Sequence, residues 1–483
     1  MRSFTSALVG AAVATIVVSG SFAIAAIPDS TTKVITVCYK KVGGDLRVID
    51  KAAKGACNAK TETELAFNQR GPRGDQGLAG VGLPGPKGDP GDPGGMSCEN
   101  ERAIKQTTPA FVLTPSCVLP PPPPPPPSIR VAVGQYHSCA LQISGTVKCW
   151  GSNTYGQLGN GSNVNSNVPV VVTGITNAIA ISAGYFHSCA LLSGGTVKCW
   201  GNNGEVSSVY PGTGLLGNGT NINSNVPVSV VGITDATAIS ADDSQSCALL
   251  STGTIKCWGY NAYGGLGDGT NVTSNVPVSV ATITNATAVT TGSNHSCALL
   301  ATGSIKCWGY GFDGELGDGT NSHTNTPVSV IGITNATAIS AGGNHSCGLL
   351  ADGTIRCWGY NGYGELGNGS TGSTNTPVAV TGITNATGIT AAWSHSCAVL
   401  ADGTAKCWGY NSNGQLGDGT TNGASSPVAV SGLINATSVS AESFHTCAVR
   451  SDGTINCWGY NGNGELGDGT TTNSNVPVTV SGL

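Results

Sequence analysis

Short apolar segments separated by turns rich in Gly, Asn and Asp fill residues 129–483, and the pattern repeats about every fifty residues. One unit places its apolar segments at 336–341, 346–350, 354–358 and 377–380. Runs of this length, bounded by turn-forming residues, predict β-strands rather than helices. Four strands in each unit are typical of a β-propeller blade.

The number of units predicts the size of the ring. The first cysteine of successive units falls at 139, 189, 247, 297, 347, 397 and 447, and the one longer interval reflects an insertion around 205–214. Seven units predict an all-β, seven-bladed propeller of four-stranded blades. The last unit stops at Leu483 without a following Ala-Ile-Ser-Ala segment. We therefore expect the N-terminal strand 129–133 to pair into the last blade and close the ring, which would remove an exposed sheet edge.

The central hairpin of each unit predicts a disulfide. The loop Ala351-Asp352-Gly353 has three residues, and its glycine suits the positive φ of a bulged turn. If Leu350 pairs with Thr354, Cys347 lies directly opposite Cys357, within disulfide reach. The alternative is zinc held by these cysteines with His345, but facing cysteines in an exported hairpin favour a bond to each other. The predicted pairs are Cys139–Cys149, Cys189–Cys199, Cys247–Cys257, Cys297–Cys307, Cys347–Cys357, Cys397–Cys407 and Cys447–Cys457.

The N-terminal quarter of the chain predicts export and a stalk. Residues 1–25 have the layout of a secretory signal peptide, and no later stretch reaches the length of a membrane span. Residues 26–70 predict a small β-rich module closed by Cys38 and Cys57. Cys98 and Cys117 would close a loop at 96–119, and the proline run at 120–128 predicts a rigid polyproline spacer.

Residues 71–95 carry glycine at nearly every third position, which is collagen register with one slip at Val81. Two interpretations are open for this short run. It is either a stalk that assembles three chains into a homotrimer or a flexible extended linker.

Cysteine content and charge narrow the class of function. Eighteen cysteines behind a signal segment indicate an oxidising, extracellular or cell-surface location. Residues 129–483 hold eight Lys and Arg against sixteen Asp and Glu. An acidic surface repels phosphate backbones, which argues against nucleic acid as a partner. No motif predicts a cofactor.

The repeat carries G-x-x-H-S-x-A-L, then V-x-x-W-G and G-x-L-G-x-G, and it resembles the regulator of chromosome condensation repeat over about 355 residues. The resemblance implies a propeller that binds protein. That family's founding activity is nucleotide exchange on a nuclear GTPase, which the signal segment, acidic propeller and cysteines argue against here. In blade number and export the chain is also similar to the secreted bacterial propeller that inhibits β-lactamase.

Residues that break the repeat are the candidate ligand-binding residues. The variable positions just before each repeated histidine carry aromatic side chains in four consecutive blades and acids in the next, and Trp393 is the one tryptophan outside the repeated position. Aromatic side chains without a packing role mark binding surfaces. The set comprises Trp393, Phe444, Tyr136, Tyr185, Phe186, Asp242 and Asp243. We expect them to share one face of the ring with the long Gly-Tyr-Asn loops and to bind an extracellular protein or glycan.

The repeat positions allow two other interpretations. Asp242, Asp243 and Glu442 could supply carboxylates to a glycan-cleaving enzyme, although no nucleophile motif accompanies them, so we predict no catalytic residues. Six histidines share one position and could form a metal-binding or pH-sensing ring. Gln245 replaces histidine in the third unit, which favours a structural hydrogen bond. The six are His137, His187, His295, His345, His395 and His445.

Overall fold

A computed structural model describes residues 129–204 and 212–483 in full and, nearer the N-terminus, the backbone of five strands. The chain forms two compact units, Met1–Pro124 and Pro125–Leu483. In the first unit, β1 (Val13–Val18) pairs with β2 (Ser21–Ala26), and a three-stranded antiparallel sheet has the order β4-β3-β5. The strands of that sheet are β3 (Val34–Lys40), β4 (Leu46–Ile49) and β5 (Glu62–Asn68).

That sheet lies within the segment predicted as a small β-rich module. Cys57, one half of the expected bridge to Cys38, lies outside the described residues, as do the collagen-like run, the Cys98 and Cys117 loop and the polyproline segment. The signal peptide, the bridges and the stalk therefore stay predictions. No helix in the described residues is long and apolar enough to cross a membrane.

The second unit is a seven-bladed propeller, which confirms the predicted fold class. Each blade is an antiparallel sheet of four consecutive strands. The first strands are β6 (Arg130–Val133), β10 (Ala178–Ala183), β14 (Ala236–Ala241), β18 (Ala286–Thr291), β22 (Ala336–Ala341), β26 (Ala386–Ala391) and β30 (Ala436–Glu442). The second strands are β7 (His137–Leu141), β11 (His187–Leu192), β15 (Gln245–Leu250), β19 (His295–Leu300), β23 (His345–Leu350), β27 (His395–Leu400) and β31 (His445–Arg450).

The remaining two strands complete each blade outward. The third strands are β8 (Val147–Gly151), β12 (Val197–Gly201), β16 (Ile255–Gly259), β20 (Ile305–Gly309), β24 (Ile355–Gly359), β28 (Ala405–Gly409) and β32 (Ile455–Gly459). The fourth strands are β9 (Ser166–Val171), β13 (Ser224–Ser229), β17 (Ser274–Ser279), β21 (Thr324–Ser329), β25 (Thr374–Ala379), β29 (Ala424–Ala429) and β33 (Ser474–Thr479). Each fourth strand contains a proline, which suits an outer edge because proline donates no ladder hydrogen bond.

The prediction that the N-terminal strand pairs into the last blade is wrong. Strand β6 pairs with β7, its neighbour in sequence, and the last blade is built entirely from β30 to β33. Only two residues separate β30 from β31, so Glu442 pairs directly with His445 and β30 fills the innermost position. The prediction placed the Ala-Ile-Ser-Ala segment after the fourth strand of a blade, whereas in the structure it forms the first strand. Counted from the first strand, all seven blades are complete.

The ring therefore closes by packing of blade against blade. At the seam between blades 7 and 1, Val133, Ala140 and Trp150 form one buried apolar cluster with Val449 and Ile455. The same arrangement recurs between the other blades, where each disulfide packs against the tryptophan of the following blade, as Cys347 does with Trp408. Apolar burial between blades thus stabilises the ring.

The predicted hairpin register is confirmed. Leu350 N donates to Thr354 O at 2.9 Å, Gly353 adopts φ +77°, and Cys347 faces Cys357. All seven predicted cysteine pairs of the propeller are disulfide-bonded, with Cα–Cα distances of 4.0 to 4.1 Å. These cysteines are therefore bonded to each other and do not act as zinc thiolates.

Candidate functional site

The loops that join first and second strands, here called the inner loops, lie on one face of the ring with the long loops between third and fourth strands. Ser152 N donates to Tyr136 O at 2.7 Å, and Tyr260 N donates to Ser244 O at 2.8 Å, so the two kinds of loop contact each other. The central hairpins lie on the opposite face with the turns between blades, as Ala178 N bonding Gly145 O shows. We call the face with the inner loops the variable face. This division of the loops is as predicted from sequence.

The aromatic residues singled out from sequence come together on the variable face, although they are not free of packing contacts. Tyr136 stacks on Phe186 with ring centroids 5.9 Å apart and contacts Phe444 at the same distance. Tyr185 contacts Phe186 at 5.0 Å and, from the far side of the ring, Trp393 at 5.7 Å. Because all five side chains are half-buried, they form a partly exposed aromatic surface.

The contact between Tyr185 and Trp393 joins blades 2 and 6 across the mouth of the ring. Its geometry depends on the neighbouring inner loop. Gly343 is the residue of blade 5 equivalent to Trp393, and a Cβ atom there would lie 2.9 Å from Cδ2 of Trp393. The indole therefore occupies space that any larger residue at 343 would fill.

Sequence reasoning missed two members of this group. Tyr155 contacts Phe186 at 5.0 Å, and Tyr460 contacts Tyr136 and Phe444 at 6.3 and 6.2 Å. Both lie in the long loops, where tyrosine recurs from unit to unit and therefore looked like a repeat feature. We call the seven residues the aromatic cluster: Tyr136, Tyr155, Tyr185, Phe186, Trp393, Phe444 and Tyr460.

Asp242, Asp243 and Glu442, here called the carboxylate cluster, are buried at the same mouth, with exposed fractions of 5%, 2% and 5%. Most blades have Gly or Ala three residues before the histidine, where space is limited: a Cβ atom at Gly342 would collide with the carbonyl oxygen of Ala392 in the next blade. Asp242 and Glu442 replace that small residue in blades 3 and 7. This departure from the repeat is the sequence signal that singled out both residues.

The electrostatics of the three acids show that they lie close to one another. Burial, then the charge of Glu442, raises the pKa of Asp242 well above its ordinary value. Burial raises the pKa of Glu442 to about 7, and Asp243 adds to the shift. Burial and the charges of Asp243 and Glu442 also raise the pKa of Tyr185. The carboxylate cluster therefore interacts electrostatically with Tyr185 of the aromatic cluster.

The six repeated histidines and Gln245 form hydrogen bonds between blades. Each histidine Nε2 lies 2.7 to 2.8 Å from the hydroxyl of the next blade's second strand, for example His345 with Ser396 Oγ. Gln245 makes the equivalent bond to Ser296 Oγ at 3.0 Å. Each hydroxyl also donates to a backbone carbonyl that accepts the indole N–H of the repeated tryptophan, as Glu365 O does from Ser396 and Trp408. A structural role for the histidines is thus the one their geometry supports.

Comparison with known proteins agrees with this architecture. Residues 211–483 match the RCC1-like domain, and residues 129–157, 144–191 and 178–205 match the regulator of chromosome condensation (RCC1) repeat. Yeast RCC1 (Prp20), solved bound to Kap60, is similar over 72% of this chain and 85% of its own, with 21% identity and a TM-score of 0.62. Human WBSCR16 is similar over 70% and 95%, with 20% identity and a TM-score of 0.62. The structure of Prp20p from Saccharomyces cerevisiae, described with its binding to Gsp1p and histones, gives 22% identity and a TM-score of 0.61 over 72% and 88%.

Proposed function

We propose that this chain, which belongs to the RCC1-like domain family, is a secreted, non-enzymatic binding protein whose variable face captures an extracellular protein or glycan. The observation that carries the proposal is the contact between Tyr185 and Trp393 across the ring. It joins side chains of four blades into one aromatic surface at the mouth. Rigid, half-exposed aromatic side chains are the usual anchors of binding interfaces.

The location outside the cell is supported by the cysteines. Seven disulfides, one in each blade, need an oxidising compartment to form and persist. The signal segment at 1–25 agrees with that location. Nucleotide exchange on a nuclear GTPase is correspondingly disfavoured, although the yeast relatives that share this fold do bind proteins.

The collagen-like and polyproline segments would display the propeller away from its point of attachment. If the glycine run at 71–95 assembles three chains, three propellers share one stalk. Weak contacts at each variable face would then act together through a high effective concentration.

Capture experiments with single variants test the proposal. Trp393→Ala should weaken capture of a partner from culture fluid or envelope extract by about thirtyfold or more, since truncating such an anchor costs about 2 kcal/mol or more. Tyr363→Ala is the matched control, because Tyr363 is an exposed aromatic of the same face that lies outside the aromatic cluster. Full retention by Trp393→Ala, with loss on changing the opposite hairpin at Asp352 and Thr354, would contradict the proposal.

Glycoside cleavage is the second candidate, and the raised pKa of Glu442 is the observation that favours it. A carboxyl group that holds its proton near neutral pH can act as a general acid. Burial of all three acids counts against ready access by a sugar chain. Release of reducing sugar from extracellular polysaccharides, abolished by Glu442→Gln but not by Glu365→Gln, would favour the enzyme over the binder.

A further inference from the structure

The long loops of the propeller carry strongly exposed apolar side chains on one side of the ring only. Val164, Ile222 and Val272 occupy the same position in blades 1, 2 and 3, with exposed fractions of 73%, 64% and 71%. The equivalent residues of blades 4 to 7 are small or polar, and they are Ser322, Gly372, Asn422 and Thr472. Because those blades fold in the same way, the blade does not need an apolar residue at this position.

The fourth strands, which form the outer edge of the ring, show the same division. Val168, Val226 and Val276 of blades 1, 2 and 3 have exposed fractions of 40%, 37% and 37%. The equivalent residues of blades 4, 5 and 6 are polar, and they are Thr326, Thr376 and Ser426. Blades 1 to 3 are therefore apolar at both positions, and blades 4 to 6 are apolar at neither.

Hydrogen bonds between blades bring the loop of one blade against the outer strand of the next. Gly161 N donates to Asn225 O at 2.9 Å, and Asn225 Nδ2 donates to Asn163 Oδ1 at 2.9 Å. Val164 follows Asn163 in the chain, and Val226 follows Asn225. The exposed loop residue of blade 1 therefore lies beside the exposed strand residue of blade 2.

The same contact recurs between blades 2 and 3. Gly219 N donates to Asn275 O at 3.0 Å, which joins the loop that carries Ile222 to the strand that carries Val276. The exposed apolar residues thus form a continuous strip along the outer edge of three blades. We call this strip the apolar band, and it comprises Val164, Val168, Ile222, Val226, Val272 and Val276.

Charge is divided around the ring in the same way as apolar surface. Residues 129–234, which comprise blades 1 and 2, hold three Lys and Arg against one acid, so their net charge is +2. Residues 235–483, which comprise blades 3 to 7, hold five Lys and Arg against fifteen acids, so their net charge is −10. In the long loops, Asn160 and Asn218 of blades 1 and 2 occupy the position that Asp268 holds in blade 3. Most of the apolar band therefore lies where the propeller has no excess of negative charge.

We infer that the apolar band is a self-association surface, through which the propellers of two chains pair edge to edge. A second copy fits this surface because copies of the protein repel each other at the acidic blades and can approach at blades 1 and 2. The contact is isologous, since only the band of the second copy offers apolar side chains at the equivalent edge. The band is a narrow strip, so pairing should be weak and should grow with concentration. It leaves the aromatic cluster at the mouth of the ring free to bind a partner.

Sedimentation of the full-length chain over a range of concentrations tests the inference. The collagen-like run could assemble chains by itself, so the chain used carries alanine in place of Gly82, Gly85 and Gly88. The expected mass is that of a monomer in dilute solution and rises toward that of a dimer as the concentration increases. The concentration at half-conversion gives the dissociation constant of the dimer.

Serine at the three loop positions tests the apolar contribution. The combined variant Val164→Ser, Ile222→Ser and Val272→Ser should weaken dimerisation by at least about tenfold, because it removes apolar surface that the contact buries. Ser322 occupies the equivalent position in blade 4, so the blade accepts serine there. Ile434→Thr is the matched control and should leave the dissociation constant unchanged. Ile434 is 55% exposed in a turn of the opposite face, where blade 5 begins with Thr334 at the equivalent position.

Added acids test the charge argument. Asn160→Asp with Asn218→Asp should weaken dimerisation, and added salt should restore part of the affinity, since it screens like charges. The fold should tolerate the change. Asp268 Oδ1 accepts a hydrogen bond from Asn261 Nδ2 at 3.3 Å, as Asn218 Oδ1 accepts one from Asn203 Nδ2 at 3.2 Å.

Hydrogen exchange locates the contact without any change in the propeller. At a concentration that favours the dimer, exchange should slow in the outer strands β9, β13 and β17. It should stay unchanged in β21, β25 and β29, the outer strands of blades 4 to 6.

A chain that stays monomeric up to the limit of its solubility would overturn the inference. Dimerisation that the three serines leave unchanged, or that slows exchange only in the outer strands of blades 4 to 6, would overturn it as well. Flotation with vesicles of neutral phosphatidylcholine tests a lipid surface as the other occupant. Vesicle binding that the three serines abolish, without dimerisation in solution, would assign the band to lipid and contradict self-association. Trp393→Ala should dimerise like the parent, so failure here leaves the proposed function of the variable face untouched.

Discussion

His445 Nε2 lies 2.7 Å from Ser138 Oγ, although the two residues are 307 positions apart in the chain. This hydrogen bond joins the last blade to the first. The serine hydroxyl donates to Glu465 O at 3.2 Å, so its lone pair is left to accept the imidazole N–H. The seam therefore carries the same polar contact as every other junction. Burial lowers the pKa of His445 to about 3, so the imidazole is neutral at neutral pH.

Ser138→Ala should lower the free energy of unfolding by about 1–3 kcal/mol, because it leaves the buried Nε2 of His445 without a partner. Ser346→Ala removes the equivalent bond between blades 4 and 5, from His295, and should cost a similar amount. Denaturant unfolding of the oxidised protein measures both. A loss at Ser138 several times larger than at Ser346 would show that the seam holds the ring by a different mechanism.

Stability should fall as the pH drops below the ordinary histidine pKa of 6.5. Burial lowers the pKa of His295 to about 4, so the unfolded chain takes up a proton that the folded chain refuses. The stabilisation is complete above pH 6.5 and is lost as the pH falls toward 4.

His295→Gln should reduce this acid sensitivity, since Gln245 makes the same hydrogen bond without titrating. Melting temperatures from pH 7 to pH 4 give the test, and proton uptake on unfolding should fall by about one. An unchanged pH profile would show that the buried imidazole of His295 does not cause the loss of stability at low pH.

Glu315 should have the opposite pH dependence to His295, because its contribution to stability falls as the pH rises. Burial raises its pKa from 4.5 to about 8, so the folded protein keeps a proton that the unfolded chain loses. Its contribution to stability is greatest below pH 4.5 and declines as the pH rises to about 8. Gln415 fills the same position in blade 6 and accepts the same backbone N–H, from Asn413 at 3.0 Å.

Glu315→Gln should therefore melt at a higher temperature than the parent protein at pH 8 and at nearly the same temperature at pH 4.5. Thermal unfolding at the two pH values measures the difference. A variant that is destabilised equally at both would show that the carboxyl group is needed in its own right.

Much of the propeller could be predicted from the repeat. The three-residue turn after Leu350 sets the register, and the register places Cys347 opposite Cys357. The strands that meet at the seam between blades 7 and 1 could not be predicted in the same way. A periodic sequence does not say which strand begins a blade, and the short link from Glu442 to His445 decides it in the structure.

The site was predictable in part for a related reason. Repeat breaks identified Trp393 and Tyr185, since variable positions stand out against constant ones. Their contact depends on the direction of the indole, which the absence of a side chain at Gly343 permits. Sequence spacing carries no information on such a contact between blades 2 and 6.

The collagen-like run at 71–95 predicts a trimer of about three times the chain mass, because only glycine fits the crowded axis of a triple helix. Light scattering on the mature protein at low temperature measures the mass. A variant in which the central glycines Gly82, Gly85 and Gly88 are changed to alanine should be monomeric. Equal masses for parent and variant would show that the glycine run does not assemble chains and is a linker.

The most direct test of the binding face is a hydrogen-exchange footprint of the propeller with and without a captured partner. We expect slower exchange in the inner loops of blades 6, 7, 1 and 2, around Trp393, Phe444, Tyr136 and Tyr185, and unchanged exchange in the hairpins of the opposite face. Protection confined to those hairpins, with the inner loops unaffected, would show that the partner does not bind the variable face.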